Sequence, residues 1–217
     1  MIKALVFDFD GLIVDTETKI FQAIEEIFEQ HNCKLPLELW QTCIGTKDSF
    51  DPFDYLEGQI MRSVDRDDLR IKHRTRALEL LENEQPLPGV EDYLKAAKEL
   101  GLKIALASSS TRKWVTEHLT KLNLISYFEC IKTADDVENV KPDPALYLEA
   151  VKCLGVKPEE AIAFEDSANG SLAAKRAGLY CVVIPNEITK GLAFGDVDHQ
   201  MESMAEMQLN ELIEKFS

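Results

Sequence analysis

Apolar and polar positions along the chain fall into two regimes. Ala4-Leu5-Val6-Phe7 is a short apolar run of strand formers, too brief for a helix and suited to a strand buried on both faces of a sheet. From Glu17 to His31 the period changes. Ile20, Ile24, Ile27 and Phe28 fall on one helical face, with Glu25, Glu26 and Glu29 opposite or flanking it. Asn32, Cys33, Lys34 and Pro36 break that helix. A short helix is predicted over 37–43, closed by Gly45. Another is predicted from Pro52 toward Ser63, with Asp51 as its N-cap, and a third after Asp65 to about Glu82. No strand pattern occurs between 17 and 84.

The pattern changes again at Pro86-Leu87-Pro88-Gly89. Strands are predicted over 103–107, 128–133, 161–164 and 180–184, with a short one near 197–201. Helices are predicted over 90–100, from Thr111 through Leu122, and over 145–154, 169–177 and 207–216. Gly101, Gly155 and Gly178 stand just past three helix ends. Strict alternation implies an α/β fold, a doubly wound parallel sheet covered on both faces. The expected organisation is a core domain of residues 1–16 and 85–217, with a small helical-bundle cap of residues 17–84 inserted into it.

In such sheets ligands bind at the carboxyl ends of the strands. Polar groups collect at those ends here: Asp8 and Asp10 after the first strand, Ser108 after 103–107, and Glu165-Asp166 after 161–164. Lys141, in the loop Lys141-Pro142-Asp143-Pro144, can reach the same edge. Residues two apart on an extended chain point the same way, so Asp8 and Asp10 would repel by about 4 kcal/mol at about 4 Å and an effective dielectric of about 20. A fold tolerates that when a cation lies between the carboxyls or one stays protonated. Gly11 lets the chain turn away where a side chain would clash. Taken singly, each signal has a plainer reading. Asp-x-Asp-Gly and Glu-Asp suit turns, Ser108 suits a helix N-cap, and Lys141 suits a solvated loop. Only their joint placement points to a phosphoryl-transfer site.

The four motifs, in this order, resemble those of the haloacid dehalogenase superfamily of phosphohydrolases, and they span nearly the whole chain. The runs Asp8 to Thr16 and Phe164 to Gly170 are similar to the β-phosphoglucomutase-like subgroup, whose fold is a Rossmann-like core with a helical cap. The resemblance implies Asp8 as nucleophile through an acyl phosphate and Asp10 as general acid and base. It also implies a Mg²⁺ cofactor held by Asp8, the Asp10 carbonyl and Asp166, with Glu165 nearby. Ser108, and backbone N–H groups near Ser109, would bind the phosphoryl group, and Lys141 would balance charge. Gly45-Thr46 occupies the place of the subgroup's specificity loop. Arg76 stands at a distance from Pro88-Gly89 like that of a phosphate-binding cap lysine in sugar phosphomutases. It belongs to a basic run, Arg70, Lys72, His73, Arg74 and Arg76, whose other reading is a solvated face paired with Asp67, Asp68 and Glu79.

Two departures bear on the activity. Ile20 fills the place of the mutases' cap histidine, and Lys47-Asp48 stands where their specificity-loop arginine would be. The expected activity is therefore Mg²⁺-dependent hydrolysis of a small phosphorylated metabolite. A sugar phosphomutase is the alternative, and a non-catalytic phospho-acceptor module a more distant one. Asp10 is the acid associated with phosphotransferases rather than with dehalogenases.

Composition adds boundaries. The 217 residues are 45% hydrophobic and carry a formal charge of −15, which disfavours nucleic acid and anionic lipid as partners. The five cysteines form no metal-ligand spacing, and their odd number argues for reduced thiols. No leader pattern and no run of about 18 apolar residues appears. A cytoplasmic enzyme, monomeric or weakly dimeric, is the expectation.

Overall fold

The computed structural model describes residues 1–46 and 50–216. Six parallel strands form one sheet: β1 (Ala4–Phe7), β2 (Lys103–Ala107), β3 (Cys130–Lys132), β4 (Ala161–Glu165), β5 (Tyr180–Val183) and β6 (His199–Gln200). Their order is β3-β2-β1-β4-β5-β6. β1 is therefore central, and every residue of it is buried, as its unbroken apolar run requires. The registers Phe7 with Leu106 and Phe7 with Phe164 bring the carboxyl ends of β2, β1 and β4 level. The strand order reverses beside β1, which makes that edge the switch point of the sheet.

Large and small residues alternate along the strands, and this sets the two faces apart. Leu5, Phe7, Ile104, Leu106, Ile162 and Phe164 form one face. It is covered by α5 (Val90–Glu99), α6 (Arg112–Lys121) and α9 (Leu209–Glu214). Phe7 stacks on Phe164 at 4.9 Å, a pairing that contributes about 0.5–1.5 kcal/mol beyond its buried area. The other face is mostly alanine: Ala4, Ala105, Ala107, Ala161 and Ala163, with Val6. Small side chains let α7 (Ala145–Leu154) and α8 (Ala168–Arg176) pack on it closely. The close approach carries Tyr147 of α7 to the end of β4.

Between β1 and α5 lie α1 (Thr16–Gln30), α2 (Leu37–Gln41), α3 (Pro52–Ile60) and α4 (Arg66–Leu80). Phe21, Ile24, Ile27, Phe28, Trp40, Phe53, Leu56 and Leu69 give these helices a separate apolar cluster, which Ile188 joins from the opposite side. Asp51 and Asp65 cap α3 and α4 as their positions predict, accepting from the backbone of Phe53 and Asp68. α3 stops at Ile60, short of the expected Ser63, because Met61 adopts a left-handed conformation. The expected strand 128–133 shrinks to β3, because residues Ile125–Tyr127 wind into a 3₁₀ turn just before it.

One expectation is overturned. Cys130 and Cys153 form a disulfide, with Cα atoms 6.3 Å apart, while Cys33, Cys43 and Cys181 are free. A separation of 23 residues carries no sequence signal. The pair meets because α7 lies across β3. Among the described residues, no helix is long and apolar enough to cross a membrane.

Candidate active site

Asp8 is the first residue past β1. Its N–H donates to Phe164 O at 3.0 Å, which holds it against the end of β4. Lys141, from the loop before α7, donates to Asp8 Oδ1 at 2.5 Å and to Glu165 Oε1 at 2.6 Å. Part of the positive charge beside the crowded carboxylates is thus supplied by the chain itself. The Lys141 side chain is 1% exposed and that of Glu165 is fully buried. The Tyr147 hydroxyl also donates to Glu165, and the Lys141 ammonium lies 5.0 Å from the Tyr147 ring centre. Ser167 donates to the other Glu165 oxygen at 3.2 Å. Glu165 is therefore committed to anchoring Lys141 and the start of α8.

Asp8, Glu165 and Asp166 each offer a carboxylate oxygen within 4.8 Å of the others. Asn186 donates to Asp166 Oδ2 at 2.7 Å and to Gly11 O at 3.2 Å, which ties the turn after Asp10 to Asp166. Gly11 has a φ of +78°, and a Cβ there would overlap the Asp166 carboxylate and the Asn186 amide. Among the described residues, Asp8 Oδ2 and Asp166 Oδ1 accept no hydrogen bond. Burial raises the Asp8 pKa to about 8, against the pull of Lys141 and with help from Glu165 and Asp10. Burial, then Asp8, Glu165 and Glu17, hold Asp166 well above the carboxylate range. Burial alone would lower Lys141, but Asp8 and Glu165 outweigh it and keep the ammonium charged. The arrangement carries more negative charge than one lysine balances.

Asp10 belongs to a different set of contacts. The chain leaves extended geometry after Phe7, and Asp10 bridges back to Val14. Its carboxylate accepts from Thr16, Ser110 and Trp114 and takes no part in the three-carboxylate group. Asp8 and Asp10 still line one cavity of about 440 Å³. Ser108 lines it too, buried, with its hydroxyl accepting from Ser110 N at 3.0 Å. The N-cap of α6 is Thr111, so Ser108 is free of that duty. Ser109 lines the cavity, but its hydroxyl donates to Gly45 O at 3.0 Å. Gln41 donates to Ile188 O at 2.6 Å and Asn169 to Ile44 O at 2.8 Å. These three bonds pin the segment 41–45 to the strand ends, and Gly45 and Thr46 line the cavity as their position predicts. Gly45 is forced as well: its φ is +74°, and a Cβ would overlap the Ser167 hydroxyl. Lys47-Asp48 lies outside the described residues.

The cap cation is corrected. Arg76 does not reach the cavity; it is paired with Glu26 at 2.8 Å and with Glu79 at 3.1 Å. Arg70 pairs with Asp51 and Lys72 with Asp68, so the solvated, acid-paired reading holds for these residues. Arg74 lines the cavity and has no ion pair among the described residues. Two helical residues turn by about 200°, which puts Arg74 and Arg76 on opposite faces of α4. Spacing from a distant Gly could not fix that phase.

Sequence reasoning also passed over Glu17, Trp114, Tyr147 and Asn186. Glu17 lines the cavity, and burial, then Asp10, Asp8 and Asp15, raises its pKa to about 8. Its signal was available, since it opens a helix directly after the Asp8 to Thr16 run. Tyr147 and Asn186 gave none, because an aromatic on an apolar helix face reads as core.

The matches to known proteins agree with this geometry. Residues 5–184 match the family model described as haloacid dehalogenase-like hydrolase. The chain is 56% identical over 214 residues to the "Putative phosphatase YhcW" of Bacillus subtilis (strain 168), covering 99% of this chain and 97% of that one. It is 33% identical over 180 residues to the "Phosphorylated carbohydrates phosphatase" of Thermotoga maritima, covering 82% of each. The crystal structure of CbbY from Rhodobacter sphaeroides in complex with phosphate superposes with a TM-score of 0.73 at 28% identity, over 95% of this chain and 96% of that one. With Asp8, Lys141, Glu165 and Asp166 all inside the matched residues 5–184, this chain belongs to the haloacid dehalogenase-like hydrolases.

Proposed function

We propose that this protein is a Mg²⁺-dependent phosphatase, which removes phosphate from a small phosphorylated metabolite through an aspartyl phosphate on Asp8. The observation that carries the reading is Lys141 bridging Asp8, which lines the cavity, to Glu165 beside Asp166. The relatives named as phosphatases support the same class. We take residues 17–84 as a cap over a core of 1–16 and 85–217.

Phosphate monoesters hydrolyse so slowly in water that enzymes can need accelerations up to ~10²¹. Attack by a carboxylate divides the reaction into two easier steps. An oxygen of the Asp8 carboxylate forms the bond to phosphorus while the ester oxygen leaves, and Asp10 gives that oxygen a proton. Asp10 then takes a proton from the water that attacks the acyl phosphate, which frees Asp8 and inorganic phosphate. Ser108 and the backbone at the start of α6 hold the phosphoryl oxygens, and Lys141 offsets their charge. The donor set suits a hard divalent cation: Asp8 and Asp166 each keep an oxygen free, and their raised pKa values express a demand for positive charge. Asp8 and Asp166 would hold Mg²⁺, whose charge would favour the ionised nucleophile and the phosphoryl oxygens. Glu165 serves Lys141 instead. Ile20, at the place of the mutase histidine, packs against the apolar cluster of the helical block, which favours a hydrolase over a mutase.

Hydrolysis of p-nitrophenyl phosphate in Mg²⁺ should fall by at least ~10³-fold in Asp8→Asn and disappear in excess EDTA. Undiminished turnover in either case removes the mechanism. Isomerisation of β-glucose 1-phosphate to glucose 6-phosphate would restore the mutase.

A further inference from the structure

We infer that Trp114 is a positioning residue for Asp10, and that its indole N–H fixes the orientation in which the Asp10 carboxyl faces the cavity. The inference rests on the acid and base role of Asp10 given above. The Asp10 carboxyl accepts three hydrogen bonds. Oδ1 takes the Trp114 indole at 2.8 Å and the Thr16 hydroxyl at 2.9 Å, and Oδ2 takes the Ser110 hydroxyl at 2.6 Å. These donors are not equivalent. An indole N–H only donates, whereas a hydroxyl can donate or accept. A hydroxyl can rotate to another partner, whereas the indole N–H has its acceptor in Oδ1, so Trp114 is the donor that fixes the carboxyl's orientation. Asp10, Ser110 and Trp114 all line the cavity.

The indole is itself held. Trp114 sits in the first turn of α6, three residues after the cap Thr111, whose side chain accepts from its backbone N–H at 3.3 Å. Its ring centre lies 4.1 Å from that of His118, and His118 Nδ1 donates to the Trp114 carbonyl at 2.8 Å. A carbonyl only accepts, so that bond fixes the imidazole tautomer as well. α6 follows β2 after four residues, which brings the indole to the strand edge where Asp10 turns.

The test uses two substrates that differ in their need for an acid. An alkyl phosphate such as glycerol phosphate requires protonation of its leaving oxygen, while p-nitrophenyl phosphate does not. kcat/KM reports the transfer to Asp8 alone. Asp10→Asn should lose ~10²-fold or more on the alkyl ester and far less on the aryl ester. Trp114→Phe keeps the ring and removes the donor; it should lose ~10-fold or more on glycerol phosphate and no more than ~3-fold on the aryl ester. Equal losses on both esters, or no loss, with the Asp10→Asn split intact, overturn the role of Trp114 alone. If Asp10→Asn treats both esters alike, the acid reading fails and the role of Trp114 falls with it. A second readout needs no Trp114 variant. The chain has two tryptophans, and the Trp40 indole N–H has no partner among the described residues. In ¹⁵N-labelled protein, Asp10→Ala should shift the Trp114 indole proton upfield and leave that of Trp40 in place. An unmoved Trp114 resonance overturns the proposal.

Discussion

The strand-end edge of the sheet and the face of α4 both gather charged groups but hold them in opposite ways. At the edge, Lys141 and the adjacent Glu165 and Asp166 are buried, and the donors to those acids, Lys141 and Asn186, arrive from other parts of the chain. On α4, the Arg70, Lys72 and Arg76 side chains are 53%, 59% and 42% exposed and pair with nearby acids. Buried charges must be matched or they destabilise the fold, whereas exposed pairs are interchangeable and contribute little. The edge is therefore the part built for chemistry. On α4, Arg74 lines the cavity and has no ion pair among the described residues.

The comparison breaks most sharply at Lys141. Lys141→Met leaves Asp8 and Glu165 buried without their cation, so urea unfolding should show a loss of about 3–5 kcal/mol, together with loss of phosphatase activity. Adding Glu165→Gln should recover part of the stability and none of the activity. A single variant as stable as wild type would mean that the edge is no more interlocked than the cap.

The pH dependence sharpens the same point. Burial pushes the Asp8 and Glu17 carboxyls up to about 8, well above the ordinary carboxylate range of about 4. Between those limits the folded chain keeps protons that the unfolded chain has released, so rising pH favours unfolding. In EDTA the melting temperature should fall from about pH 4.5 to about pH 8. Mg²⁺ should flatten that slope, because it binds the ionised, folded site. A flat profile without metal contradicts the burial of these carboxyls.

The disulfide braces the helix that carries Tyr147. Alkylation of unfolded, unreduced protein should modify three cysteines, and five after reduction, counted by mass spectrometry. Cys153→Ser should cost about 2–4 kcal/mol. Five reactive thiols before reduction would remove the brace.

The smallest effects belong to the cap. Arg74→Ala should raise KM for a phosphorylated metabolite by ~10-fold with kcat kept, as expected when binding is lost equally from ground and transition states. Arg76→Ala should leave KM unchanged, since that guanidinium is occupied by Glu26 and Glu79. The reverse result would return Arg76 to the site.

Much of this molecule is written in local pattern. β2 and α7 have the bounds that their apolar runs and flanking Pro and Gly predict. The approach of Asp8, Ser108, Lys141, Glu165 and Asp166 follows from one rule, that parallel strands present their carboxyl ends on one edge. Which oxygen each group uses does not follow from it. Glu165 is turned to Lys141, and Tyr147 and Ser167 hold it there.

Periodicity therefore determined the elements, the parallel sheet and the edge at which its acids gather, because burial acts on each short segment alone. The tertiary structure decided the rest: the phase of α4 that separates Arg74 from Arg76, the pairing of Cys130 with Cys153, and the hold of Trp114 on Asp10. Those contacts join residues between 23 and 104 positions apart. Their geometry depends on how whole helices lie on the sheet, which no local pattern encodes.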